Sequence, residues 1–259
     1  MRINIALGMT PEWFEYAQVT IASVLTHSSQ DDEYYFYIMA NRFEEDDIEA
    51  FNRLKKMRSI EIEFLKIDDT FFEGAIHDWL GVSSSYRLIL SSLVQESKIL
   101  YLDSDIIARK DIAELYKTDI SDYYLAAVED KCSLMMKSRV NLAPHENFYN
   151  GGMQLINLDK FREDDLENVI MKTLRLSTFY TDQDVINDVC RKNILSLPIK
   201  YNLMPVLNAY KNRREEFLND LKDPVLVHFT TKPWKGVNNM YVNEWFHYKN
   251  IVDRLQLLP

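Results

Sequence analysis

The chain has 259 residues, 47% hydrophobic and 27% charged, a globular composition with room for one large domain and a substantial core. Its formal net charge of −10 argues against general binding to nucleic acid or anionic membranes, both of which require a basic surface. Two cysteines, Cys132 and Cys190, are too few for a disulfide framework, and no run approaches the ~20 apolar residues of a membrane span, so a soluble, cytoplasmic protein is expected.

The N-terminal segment is broken by Asn4 and is too short for a signal peptide's apolar stretch. Apolar runs of strand length follow at Ile3–Leu7, Tyr35–Met39, Ile60–Ile67, Ile99–Leu102, Tyr124–Val128, Met153–Ile156 and Val225–Phe229. Glu61 and Glu63 alternate with Ile60, Ile62 and Phe64, which predicts one wet face and a place near a sheet edge. Helical spacing sets Phe14, Ala17, Ile21, Val24 and Leu25 in one stripe and Ile48, Phe51 and Leu54 in another. The acidic run Glu44–Asp47 sits where anions favour a helix N-terminus. Strand and helix alternate to about residue 128, so an α/β fold with a mostly parallel sheet is expected. Tyr241–Leu258 reads as a terminal helix packing Trp245, Phe246 and Ile251.

The sharpest local signal is Lys98-Ile-Leu-Tyr-Leu-Asp-Ser-Asp-Ile-Ile-Ala108. A buried strand runs into Asp103 and Asp105, and in an extended chain residues i and i+2 share a face. Two converging carboxylates repel unless a proton or cation intervenes, and their oxygens suit Mg²⁺ or Mn²⁺. Ligands also gather at the C-terminal ends of strands in open α/β sheets. A second pair, Asp182 and Asp184, opens a helical stretch, where helix capping competes with metal binding. No phosphate-binding glycine loop is present, so a bound diphosphate would need a metal and side-chain cations. Gly151-Gly152 serves either as a tight turn or bulge, or for close backbone approach to a ligand with Asn150 adding an amide. By themselves, His228 fits a hydrogen-bonded core histidine and Lys232 a surface charge.

Together these segments resemble glycosyltransferase family 8, which includes bacterial lipopolysaccharide galactosyl- and glucosyltransferases and glycogenin. The resemblance rests on Ser85-Tyr-Arg-Leu88, Tyr101-Leu-Asp-Ser-Asp105, Asn150-Gly-Gly152 before Leu155-Ile-Asn157, Asp182-Gln-Asp-Val-Ile-Asn187, and His228 with Lys232-Pro-Trp234. It implies a single GT-A domain, α/β with a Rossmann-like, mostly parallel central sheet. Residues of about 1–128 would form a nucleotide-sugar half, and about 129–259 an acceptor-side half with the C-terminal helix. It further implies a UDP-sugar donor, Mn²⁺ or Mg²⁺, a saccharide or glycoconjugate acceptor, and transfer of a hexose with retention.

By the same resemblance, Asp103, Asp105 and His228 are the metal ligands, Asp103 also reaches the ribose, and Lys232 contacts the diphosphate. Ala6, Thr10 and Ser104 belong with the nucleotide, and Arg87, Asn150, Asp182 and Gln183 with the sugar, with Glu129 or Asp130 nearby. Two departures stand out: Gly8-Met-Thr-Pro-Glu-Trp13 lacks the aspartate expected at the uracil, and the loop from His228 to Lys232 is short and without glycine. The chain also stops without the basic, aromatic tail of membrane-associated relatives. The main rival is a non-catalytic family member acting as a scaffold, and a metal-dependent phosphohydrolase or nucleotidyltransferase ranks behind it. Cys132–Tyr149 is an acceptor-side loop or an ordinary surface excursion, with His145 solvated.

Overall fold

The computed structural model describes residues 1–75, 81–130, 134–177, 179–205, 220, 222–235 and 240–258. Cys132 therefore lies outside the described residues. A seven-stranded sheet is ordered β3-β2-β1-β4-β7-β6-β8. Its strands are β1 (Arg2–Gly8), β2 (Glu33–Ala40), β3 (Glu61–Lys66), β4 (Lys98–Leu102), β6 (Leu125–Glu129), β7 (Tyr149–Asn157) and β8 (Ile194–Leu197). β3, β2, β1 and β4 run parallel, as do β6 and β8, whereas β7 is antiparallel to both of its neighbours. The sheet is thus mostly parallel, with β7 reversed near its centre.

Strand sequence and strand position agree. β1 is apolar from Ile3 to Leu7 apart from Asn4 and buried throughout that run, as a strand covered on both faces must be. β3, with its alternating glutamates, is the edge strand, and Glu61 and Lys66 lie exposed at its two ends. Two short strands escaped the hydropathy pattern. β8, Ile194-Leu-Ser-Leu197, is four residues long, and β5 (Ile106–Ala108) is three, so neither carries enough period to be read. β5 pairs antiparallel with β9 (Leu226–His228) in a separate two-stranded sheet.

Helix α1 (Phe14–His27) buries the predicted apolar stripe against the sheet. In α2 (Glu45–Asn52) the Asp47 carboxylate accepts from the Glu44 N–H at 2.9 Å, so the acidic run closes the helix start. Two further helices, α3 (Leu166–Leu176) and α4 (Asp182–Val189), pack together near β7. The terminal helix α5 (Val242–Gln256) lies on α1 and buries Trp245, Tyr248, Val252 and Leu255, an i, i+3, i+7, i+10 stripe. Phe246 departs from expectation at 45% exposure, because one residue along a helix turns the side chain about 100° away from the buried face. Ile251 sits at the margin of that face, partly buried. The stretch expected to be irregular before Tyr149 contains a helix, Leu134–Arg139, and His145 is exposed. No helix among the described residues is long and apolar enough to cross a membrane.

Candidate active site

β4 delivers Asp103 at its C-terminal end, and there the chain does not stay extended. The Ile106 N–H donates to the Asp103 carbonyl at 3.2 Å, closing a turn with Ser104 and Asp105 inside it. Convergence of the two carboxylates therefore comes from a turn held on both sides, not from strand alternation. On one side the Asp103 N–H donates to the Gly152 carbonyl at 2.8 Å; on the other, the Phe229 N–H donates to the Asp105 carbonyl at 2.9 Å. The β5–β9 register pairs Ile106 with His228, which brings the imidazole over the turn.

One ligand atom from each of Asp103, Asp105 and His228 lies within 4.8 Å of the others. His228 Nε2 stands 3.3 Å from Asp105 Oδ1 and 3.7 Å from Asp103 Oδ2. Lys232 forms an ion pair with the other oxygen of Asp105, and its ammonium lies 5.1 Å from the Trp13 ring centroid. Burial opposes charge on Asp105, but His228 and Lys232 outweigh it and hold the carboxyl down at about 2. Burial likewise works against a charged His228, and the neighbouring Asp105 and Asp103 reverse the balance and raise its pKa. Two carboxylates and an imidazole are a donor set suited to a divalent transition ion such as Mn²⁺, and less particular to Mg²⁺, which favours oxygen alone. The residues present fit such an ion.

Beside this cluster a cleft of about 310 Å³ opens, lined by Met9, Trp13, Ser84, Arg87, Asp103 and Lys232 among others. Arg87 is 5% exposed and uses its whole fork. Nε donates to the Ser84 carbonyl at 2.7 Å and pairs with Asp182 Oδ2 at 3.2 Å, Nη2 donates to Asp103 Oδ1 at 2.9 Å, and Nη1 donates to the Gly151 carbonyl. The guanidinium also lies 4.2 Å from the centroid of the Tyr101 ring. Burial disfavours this charge, but Asp103, the Tyr101 phenol and Asp182 more than offset it, so the pKa is raised. Asp182, by contrast, is shifted upward mainly by its burial, with Arg87 opposing.

Behind Arg87 lies a set of amides. Gln183 Oε1 accepts from the Gly151 N–H at 2.9 Å and from Asn150 Nδ2 at 3.4 Å, and Gln183 Nε2 donates to Asp130 Oδ2 at 3.3 Å. Asn150 Nδ2 also reaches Asp130 Oδ2 at 3.3 Å. Thr181 and Asp184 form a reciprocal capping box at the start of α4, so Asp184 serves the helix, and its other oxygen takes Arg139 at 3.0 Å. The box presents Asp182 and Gln183 toward Arg87 and Gly151.

The sequence model of glycosyl transferase family 8 matches residues 4–238 of this chain. The chain belongs to that family. It is 25% identical over 247 residues to general stress protein A of Bacillus subtilis, an alignment covering 87% of this chain and 85% of that protein. It is 27% identical over 265 residues to a lipopolysaccharide 1,2-glucosyltransferase of Escherichia coli, covering 94% and 76% of the two chains. In structure it is similar to the galactosyltransferase LgtC solved with donor and acceptor sugar analogues, with a TM-score of 0.81 over 99% of this chain and 98% of that one at 22% identity. The sheet and its flanking helices are the GT-A fold, and the protein is a family 8 glycosyltransferase.

Not every residue carried over from the family pattern faces the cleft. Ala6 is fully buried inside β1, paired with Tyr37 and Tyr101. Thr10 precedes the short Pro11–Trp13 turn and bonds the Glu12 carboxyl, lowering its pKa. At this end Met9, Trp13 and Ser104 line the cleft, and the Ser104 hydroxyl lies 3.7 Å from Met9 Sδ. Of Glu129 and Asp130, it is Asp130 that joins the amide set. Asn202 was not anticipated. It is a fully buried polar residue between Tyr201 and Leu203, and its flanking apolar residues were the only trace of it in the sequence.

Proposed function

We propose that this family 8 glycosyltransferase moves a hexosyl unit, glucose or galactose, from a UDP-sugar to a saccharide or glycoconjugate acceptor with retention of configuration. The observation that carries the reading is the Asp103, Asp105 and His228 donor set beside the Arg87 cleft, which Asp103 and Asp105 also line. Those residues would hold Mn²⁺, or Mg²⁺ in its place. When bound, the ion supplies positive charge to the leaving diphosphate.

The chain's own groups divide the remaining work. Lys232 also lines the cleft, where its positive charge would hold the diphosphate as its charge grows. The nucleotide would lie along the Gly8–Trp13 side, in the half formed by residues up to about 128, and Asp103 would touch its ribose. Arg87 locks Asp182 and Asp103 in fixed positions, so the sugar meets a preorganised surface. Asn150, Asp182 and Gln183 would bind that sugar, with residues beyond 128 facing the acceptor. Positive charge developing at the anomeric carbon is stabilised by the carbonyl dipoles of these amides and by Asp130. Gln183 Oε1 already accepts two hydrogen bonds, and an amide is a weak nucleophile in any case. A front-face return of the acceptor follows, without a glycosyl-enzyme intermediate.

Calorimetric titration of UDP with and without Mn²⁺, repeated on Asp105→Ala, tests the donor site. Metal-dependent binding that the variant loses supports it, and release of UDP with a transferred hexose identifies the reaction. Absence of UDP binding in every condition points instead to the non-catalytic scaffold, which the missing aspartate in Gly8–Trp13 favours.

A further inference from the structure

We infer that Asn202 is a positioning residue that fixes the proton of His228 on Nδ1 and aims the Nε2 lone pair at Asp103 and Asp105. This rests on the metal reading of that cluster. The polarity begins at a group that cannot be reversed, the main-chain N–H of Gly152, which donates to Asn150 Oδ1 at 2.9 Å. With that atom established as an acceptor, the Asn202 atom 2.8 Å away must be the donor Nδ2. The remaining amide atom of Asn202 is then Oδ1, and it lies 3.1 Å from His228 Nδ1. An acceptor at Nδ1 requires Nδ1–H in the neutral ring and leaves Nε2 free to coordinate.

Reversing any one member breaks the chain. A flipped Asn150 sets an NH₂ against the Gly152 N–H, and a flipped Asn202 sets one against His228 Nδ1–H while its oxygen faces Asn150 Oδ1. All three side chains are buried, so water does not repair such a mismatch. The backbone holds the contact from both sides: the Leu203 N–H donates to the Leu226 carbonyl at 3.0 Å, and the His228 N–H donates to the Leu203 carbonyl at 2.8 Å. Nε2, facing two carboxylates at 3.3 and 3.7 Å, therefore presents a lone pair to further lone pairs whenever the ring is neutral. A metal cation between them relieves that repulsion, as a proton on Nε2 does in its absence. The same amides lead through Asn150 to Asp130 and Gln183, so one hydrogen-bonded path joins the metal cluster to the sugar-side residues.

Two substitutions separate positioning from packing. Asn202→Leu keeps the volume and removes both polar contacts. Asn202→Asp keeps an acceptor for Nδ1–H, while its second oxygen replaces the donor to Asn150 and adds a negative charge on the imidazole side. Mn²⁺ affinity, measured by calorimetry on folded protein, is expected to fall about 10–100-fold in Asn202→Leu and to recover in part in Asn202→Asp. In ¹⁵N spectra of the Mg²⁺-loaded wild type, the imidazole signal that vanishes in His228→Gln should show a protonated Nδ1 whose proton exchanges slowly. That slow exchange should be gone in Asn202→Leu. Wild-type affinity in Asn202→Leu, or weaker binding in Asn202→Asp than in Asn202→Leu, overturns the inference while Asp105→Ala still abolishes binding. A wild type that binds no Mn²⁺ overturns the metal reading, and this inference with it.

Discussion

A methyl group at Gly152 should disable the metal cluster and leave the fold nearly intact. A Cβ built there falls 2.3 Å from His228 Cε1, 2.7 Å from His228 Nδ1 and 2.8 Å from Asp103 Oδ2. Comfortable separation is about 3.5–4.0 Å, so more than ~1 Å must open. The three nearest atoms all belong to side chains, so the displacement falls first on the imidazole and the carboxylate. Forcing His228 and Asp103 off their rotamers costs about 0.5–1.5 kcal/mol each. Replacing a strand glycine by alanine returns about 0.5–1 kcal/mol. Moving His228 also breaks its buried contact with Asn202, about 1–3 kcal/mol more, so the net loss is about 1–5 kcal/mol, or roughly 2–20 °C in melting temperature.

Metal binding has no such compensation, because two of its three ligands are the groups displaced. Mn²⁺ affinity in Gly152→Ala should fall at least about 100-fold, beyond the range seen when only a ligand's supporting partner is lost. The neighbouring Gly151→Ala is the control: its Cβ meets Arg87 Nη1 at 3.1 Å and Gln183 Oε1 at 3.5 Å, contacts that a few tenths of an ångström relieve. Calorimetry with Mn²⁺ and a thermal melt on both variants decide the matter. Wild-type Mn²⁺ affinity in Gly152→Ala would refute the reasoning, and so would an unfolded Gly152→Ala protein.

Two further outcomes are expected. Thr181→Val removes the hydroxyl that accepts the Asp184 N–H at 3.1 Å and should lower stability by about 1 kcal/mol, a melting shift of roughly 2–4 °C read by circular dichroism; an unchanged melt would mean that the capping box contributes nothing. Cys190 is fully buried and its thiol is pushed up by that burial, so peptide-resolved alkylation of the native protein should leave it unmodified until denaturant is added. Rapid labelling under native conditions would contradict its place in the core.

Much of the framework was legible because its signals are local. Continuous apolar runs marked β1, β2 and β4, the Glu61/Glu63 alternation marked the edge strand, and ordered polar motifs pointed to the family and to most residues that gather around Arg87. Phe246 was misplaced because helical phase separates it from Trp245 by a single step. β5 and β8 were too short to show a period. Ala6 and Thr10 came from a family pattern, and in this chain their side chains turn to the core and to Glu12.

Sequence alone determined which groups exist: the carboxylates after β4, the glycine pair, and a histidine and lysine near the C-terminal end. Only the tertiary structure decided how they meet. The clamping of the Asp103–Ile106 turn by Gly152 and Phe229, the pairing of β5 with β9, and the path from the Gly152 N–H through Asn150 and Asn202 to His228 join segments far apart in the chain. Hydrogen-bond polarity passes through space from one buried group to the next. No residue spacing records it, because each donor and acceptor is chosen by a partner that folding alone brings within about 3 Å.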